Sequence, residues 1–254
     1  MSQPIYISSF GAVTNRGIHS PKGFVAWPDG VQTAGAVERC HVLSKPYIAF
    51  GKLTPGDKLA FAASALALEN STHWQGDHAG ICIDMPYGSL STDLRYQETI
   101  NNNFPSPAIF SSTLPSSAVA DIAIYYKIKG PNRVVAEGRT AGIAALELAI
   151  SMIDKKKVSA CLAIALVSVE NSDRQLPAID QTTIEPDYAV ALLLSTTPGA
   201  MRLTITDAPP SSAINGNTTP YMVEVVKALE QKVSATIPVF FNNHGKSIIL
   251  SHTT

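Results

Sequence analysis

Cysteine is the side chain in this sequence best suited to nucleophilic chemistry, because its thiolate is the reactive species and forms near neutral pH in the right surroundings. The chain has three, Cys40, Cys82 and Cys161. Their number is odd, no pair has CxxC spacing, and two lie inside apolar runs, Ile81-Cys82-Ile83 and Ala160-Cys161-Leu162. All three read as buried thiols in a reducing compartment. His73-Trp74-Gln75-Gly76-Asp77-His78 offers two histidines and an aspartate. Its spacing suits neither a helix face nor a zinc motif, so it reads as a solvated loop, and no metal is expected. Glycine-rich phosphate loops, HExxH and GxSxG are absent. Gly11 and Gly17 lack the GxGxxG spacing and read as turn glycines, so no cofactor is expected either.

The elements that must position these residues alternate. Ile5 to Thr14 reads as a strand that breaks at Gly11, followed by a Gly/Pro-punctuated stretch to Gly56. Thr54-Pro55-Gly56-Asp57 is a start signal for an Ala- and Leu-rich helix that ends near Asn70. Ala79 to Asp84 reads as a buried strand and Leu90 to Asn102 as a helix. Ser117 to Ile128 is a second helix closed by Gly130-Pro131, with Gly130 as the capping glycine. A short strand at Arg133 to Ala136, a helix from Thr140 to Ile153 and a buried strand from Ala160 to Val167 follow. Tyr188 to Leu194 and Arg202 to Thr206 look like an antiparallel pair joined through Thr197-Pro198-Gly199. A polar linker, Ala208 to Pro220, leads to a last helix from Tyr221 and to strands around Val239 and Ile249. This rhythm predicts an α/β fold.

Composition narrows the partners. The chain has 254 residues, 45% of them hydrophobic, which is enough for a substantial core. Charged residues make up 15%, against about 25% in ordinary soluble domains, which hints at an obligate interface. A net charge of −1, with no basic cluster beyond Lys155-Lys156-Lys157, argues against nucleic acid or an acidic membrane as partner. No run approaches the roughly 18 apolar residues of a membrane span, and the N-terminus has no signal-peptide pattern, so the expected location is cytoplasmic.

Four segments, in order, carry a resemblance. They are Ile7-Ser8-Ser9-Phe10-Gly11-Ala12-Val13-Thr14, Ser111-Ser112-Thr113-Leu114-Pro115, Gly130-Pro131-Asn132, and Val134-Val135-Ala136-Glu137-Gly138-Arg139-Thr140-Ala141-Gly142. Together they resemble the N-terminal half of a β-ketoacyl-acyl-carrier-protein synthase, and their wording is most similar to the ketosynthase-like proteins of aryl polyene pigment clusters. The resemblance implies an α/β thiolase-like fold with a mostly complete N-terminal half over residues 1–208. Residues 209–254 would then be a linker and a strongly shortened C-terminal half, a truncated helix and strands.

Two departures from that family decide the expected function. Active members place a nucleophilic Cys at the start of the long helix, where this sequence has Arg139. A guanidinium stays protonated and cannot take an acyl group. A one-residue slip offers only Gly138 or Thr140, and Thr140 has no evident base. The family's second half also supplies two histidines, yet only about 46 residues follow the linker start here; the tail histidine, His244, reads as a turn residue. No catalytic residue is therefore expected. What remains resembles a chain length factor, the inactive partner of a catalytic ketosynthase.

The resemblance implies a heterodimer in which Asn132, Arg133, Val134, Val135, Ala136 and Glu137 pair with the partner's equivalent strand. It also implies that Ala108, Ile109, Phe110 and Val119 shape the end of the partner's acyl tunnel, where bulk limits how many two-carbon units fit; ordinary core packing is the other reading of these four. The carrier protein would be met indirectly. Arg139 opposes the helix dipole by roughly a few tenths of a kcal/mol, which calls for a carboxylate such as Glu137 or one across the interface. Alternatively it fills the vestigial site and blocks acyl entry. Two rival functions stay open: an acyl-transfer enzyme with Cys40 or Thr140 as nucleophile, and a truncated homodimer without an acyl ligand.

Overall fold

The computed structural model describes residues 3–28, 31, 33–72, 74–136, 141–169, 187–199, 201–208, 220–241 and 244–252. Strands are β1 (Ile5–Thr14), β2 (Gly17–Ser20), β3 (Gly23–Ala26), β4 (Ala79–Asp84), β5 (Asn132–Val135), β6 (Ala160–Val167), β7 (Tyr188–Ser195), β8 (Met201–Ala208), β9 (Ala235–Phe241) and β10 (His244–Ser251). Helices are α1 (Arg39–Val42), α2 (Pro55–Leu68), α3 (Leu90–Asn101), α4 (Pro107–Phe110), α5 (Ser117–Tyr126), α6 (Ile143–Asp154) and α7 (Tyr221–Gln231). The strands form one sheet in the order β5-β4-β6-β7-β1-β8-β10-β9, with the β2/β3 hairpin continuing from β1. β4 is parallel to β5 and β6; the other pairings are antiparallel.

The central strands are apolar along their whole length because both faces are covered. On β6, Leu162, Ile164 and Leu166 join α2 and α5 in one core, while Cys161, Ala163, Ala165 and Val167 join α6 and α7 in the other. α2 is buried from Leu59 to Leu68, which is why small alanines dominate it. Its start follows the sequence signal: Thr54 caps it by accepting the Asp57 N–H at 3.2 Å. Phe61 anchors its outer side, stacked with Tyr47 at 5.2 Å and met edge-on by Tyr125 at 5.3 Å.

Four expectations are corrected. β1 does not break at Gly11, and Gly11 is no turn residue; a Cβ there would lie 2.3 Å from the Ala63 carbonyl oxygen, so the glycine lets α2 approach the strand. β7 and β8 do not pair, because β1 lies between them, bonded to β7 over Tyr6–Val13 and to β8 over Ile5–Ile7. Ile5, Ile7, Phe10 and Ala12 give β1 a buried face, and so it takes a central place rather than an edge. α5 is closed by Lys127 in the left-handed conformation (φ 55°), while Gly130 bonds onward to Ala79 O at 3.1 Å. Finally, the helix expected from Thr140 begins at Ile143, after a turn through Ala141 and Gly142.

Residues 220–252 extend the sheet by β10 and β9 and add α7 to its covered face. On β8, β10 and β9, Leu203, Ile248, Leu250, Ile237 and Val239 face the core. Their neighbours on the opposite face include Arg202, Thr204, Thr206, Ser247, Ser251 and Thr236, a polar surface suited to water.

Candidate functional site

β5 is one edge of the sheet, and among the described residues no strand pairs with its outer side, where the Arg133 guanidinium donates to Asn132 O at 3.0 Å. Ile81 donates to Pro131 O at 3.1 Å and Met85 donates to Val135 O at 2.9 Å. Odd-numbered residues of β5 therefore bond inward to β4, and the alternation turns the backbone groups of Asn132 and Val134 outward. Asn132, Arg133 and Ala136 are exposed, and Val134 and Val135 half-buried. The opposite edge, β9, carries exposed Pro238 opposite Ser247, and a proline has no N–H; the β2/β3 hairpin ends in a further edge at β3.

The segment before α5 presents apolar side chains outward. Ser106 caps the single turn of α4 through the Ile109 N–H. Ala108 is exposed, Ile109 half-buried and Phe110 58% exposed, with the Phe110 ring 5.3 Å from that of Tyr96. Phe104, held after a left-handed Asn103, is 83% exposed, and Leu114 is 62% exposed. Val119 is separated from these: with Ala118 and Ile122 it forms the buried face of α5. Ser89 fixes the connecting loop by donating to Thr113 O.

Beneath that loop lies a carboxylate the sequence revealed only as part of a helix start. Asp57, 7% exposed, accepts the Ser117 hydroxyl on both oxygens at 3.1 and 3.2 Å. Burial pushes its carboxyl up to about 6, against the opposing hydrogen bonds from Thr54 and Ser117. A cavity of about 20 Å³ beside it is walled by hydroxyl-bearing residues, among them Thr54, Ser112, Ser117 and Ser168.

The turn entering α6 is held from two sides. Gly142 donates its N–H to Asp84 Oδ2 at 2.9 Å, and Tyr221 donates its hydroxyl to Ala141 O at 2.6 Å. Asp84 is fully buried at the end of β4; a lone acidic residue closing an apolar strand is the only sequence signal that could have marked it. Glu137, Arg139 and Thr140 lie outside the described residues, as does His73. His244 opens β10 opposite Phe241.

Of the three thiols, Cys82 and Cys161 are buried with their sulfurs 3.8 Å apart, and the hydrogen bond with Cys82, together with burial, pushes Cys161 up. Cys40 contradicts the expectation, because it is exposed on α1, outside any apolar run. Glu38, Cys40 and His41 bring ligand-type atoms within 4.8 Å of one another at the surface, although His41 Nδ1 already accepts the Glu38 N–H at 3.0 Å. A groove of about 710 Å³ lies elsewhere, between α6 and strands β1, β8 and β10; the Lys246–Glu147 ion pair lies along it. Among the described residues no helix is long and apolar enough to cross a membrane.

This open mixed sheet, with α2 and α5 on one face and α6 and α7 on the other, is a thiolase-like fold. Residues 51–176 match the family described as "Beta-ketoacyl synthase, N-terminal domain". No curated protein matches it. Solved structures of similar fold include the ishigamide ketosynthase/chain length factor, at 13% identity and a TM-score of 0.76 over 99% of this chain and 100% of that one. Another is a ketosynthase (ApeO) in complex with its chain length factor (ApeC) from Xenorhabdus doucetiae, at 16% identity and a TM-score of 0.67 over 97% and 99% of the two chains. A third is the AntDE:AntF assembly, a type II polyketide synthase acyl-carrier protein in complex with its ketosynthase, at 11% identity and a TM-score of 0.70 over the whole of both chains. At these identities the likeness is one of fold.

Proposed function

We propose that this chain is a catalytically silent subunit of the chain-length-factor type, which pairs with a catalytic β-ketoacyl-ACP synthase and shapes its acyl tunnel in aryl polyene or related type II polyketide or fatty-acid synthesis. The observation that carries this reading is the β5 edge, which no further strand covers among the described residues and whose outward-facing Val134 backbone groups invite an antiparallel strand. Arg139 at the position of the family's nucleophile supports silence, since it holds no thiol and loses no proton. The ketosynthase/chain-length-factor pairs among the similar folds support the kind of partner.

In this reading residues 1–208 form the ketosynthase-like core and residues 209–254 its shortened remainder. The partner performs the condensation on an acyl chain delivered by a carrier protein. This chain contributes exclusion of water and a wall: Ile109 and Phe110, already on the surface, are covered on assembly, and their bulk stops the growing chain. Val119 acts from behind by fixing α5. The test is reconstitution with the ketosynthase and carrier protein encoded in the same cell. Phe110→Ala is expected to lengthen the product by at least one two-carbon unit in the complex that still forms. Acylation of this chain alone by a carrier thioester, lost in Cys40→Ala, would overturn the reading.

A further inference from the structure

We propose that Asp57 is a positioning residue for α5, and that the proton on its carboxyl sets how firmly the first turn of that helix and the Thr113–Pro115 loop are seated. The inference rests on the reading above only in what the seating is for, because α5 and this loop adjoin Phe110 and carry Val119. The geometry is a two-element latch. Asp57 sits in the first turn of α2, and its carboxylate is bridged to Ser117, the first residue of α5, which is 60 residues away in sequence. The N-cap of α5, Ser116, makes no side-chain capping hydrogen bond, so the Ser117 bridge to Asp57 is the side-chain tie at this helix start among the described residues. The surrounding wall includes Thr54, Ser112, Ser168, Met85 and Leu166 and holds no cationic side chain. Of the charged groups on the elements packed around it, Asp121 on α5 acts on Asp57 and disfavours its ionisation, Asp93 on α3 is turned to Ser89, and Lys58 follows it on α2.

Lifting the first turn of α5 lets water reach Asp57 and returns its carboxyl toward the ordinary value of 3.8, from about 6 when seated. The seated state therefore holds the proton more tightly than the lifted state. A neutral Asp57 latches α5 down, and ionisation loosens it. At neutral pH the charged carboxyl leaves the tunnel-facing end of α5 free to adjust to a partner, whereas below about pH 5 the same helix is locked.

Backbone hydrogen exchange over residues 113–122 tests this in the full chain, with and without its ketosynthase, from pH 4.5 to 7.5 after correction for intrinsic rates. Local opening is expected to rise on the order of twenty-fold across that range, with a midpoint near the Asp57 value, while α6 changes little. Asp57→Asn, permanently neutral, should stay protected and flat. Ser117→Ala removes a bond that favours the carboxylate and should move the midpoint upward, an effect that a purely structural contact would not produce. Opening that is independent of pH, or equally dependent on it in Asp57→Asn, would overturn the inference. If the asparagine variant fails to fold, an unmoved midpoint in Ser117→Ala does the same. Absence of a complex would count against the partner reading and leave this exchange result interpretable.

Discussion

The Tyr221 hydroxyl donates to Ala141 O at 2.6 Å and so joins α7 to the turn that opens α6. Asp84 grips the next residue of that turn through the Gly142 N–H at 2.9 Å. Both contacts hold the backbone of the turn that opens α6. Tyr221→Phe is expected to lower stability by about 1 kcal/mol, and Asp84→Ala, which strands a buried N–H, by roughly 1–3 kcal/mol. Because they grip adjacent residues, the two losses should not add. Urea denaturation of the single and double variants, with unchanged denaturant slopes, measures that coupling.

Stability should fall as pH rises from about 4 to about 7. The folded state raises the Asp57 carboxyl from 3.8 to about 6, so within that window it binds a proton that the unfolded chain releases. The loss is about 2 kcal/mol between pH 4.5 and 7.5. Thermal or urea unfolding at both pH values should show this difference in the native sequence, and Asp57→Asn should abolish most of it.

One thiol should react and two should not. Cys40 is exposed, while Cys82 and Cys161 are buried against each other. An aromatic disulfide reagent is expected to titrate one equivalent in the folded chain, lost in Cys40→Ala, and three after denaturation. Rapid reaction of all three in the folded chain would show that β4 and β6 open readily.

Much of the architecture was legible because local signals and burial agree. Thr54-Pro55-Gly56-Asp57 does start α2, and the unbroken apolar runs of β4 and β6 are covered on both faces. What the sequence hid was non-local. Nothing in Ile5–Thr14 announces that this strand separates β7 from β8, since strand order depends on packing partners far along the chain. Gly11 looked like a breaker because close approach by a helix and a turn select the same residue. The candidate edge strand was readable from the family-like wording around Asn132–Val135. The Asp57–Ser117 bridge was not, because a first-turn acidic residue ordinarily serves the helix dipole at the surface, and only the fold shows this one buried.

The central claim is that β5 is an interface strand, and Val134 provides a clean probe. Its N–H faces outward, so Val134→Pro should spare the ladder to β4 and remove one donor from the open edge. The direct measurement is the native mass of this chain co-expressed with the ketosynthase from the same cell, for the native sequence and for Val134→Pro. A one-to-one complex that Val134→Pro dissociates, while the isolated variant keeps its far-ultraviolet circular dichroism, is the expected result. A homodimer that ignores the ketosynthase, or a complex indifferent to Val134→Pro, would contradict the account.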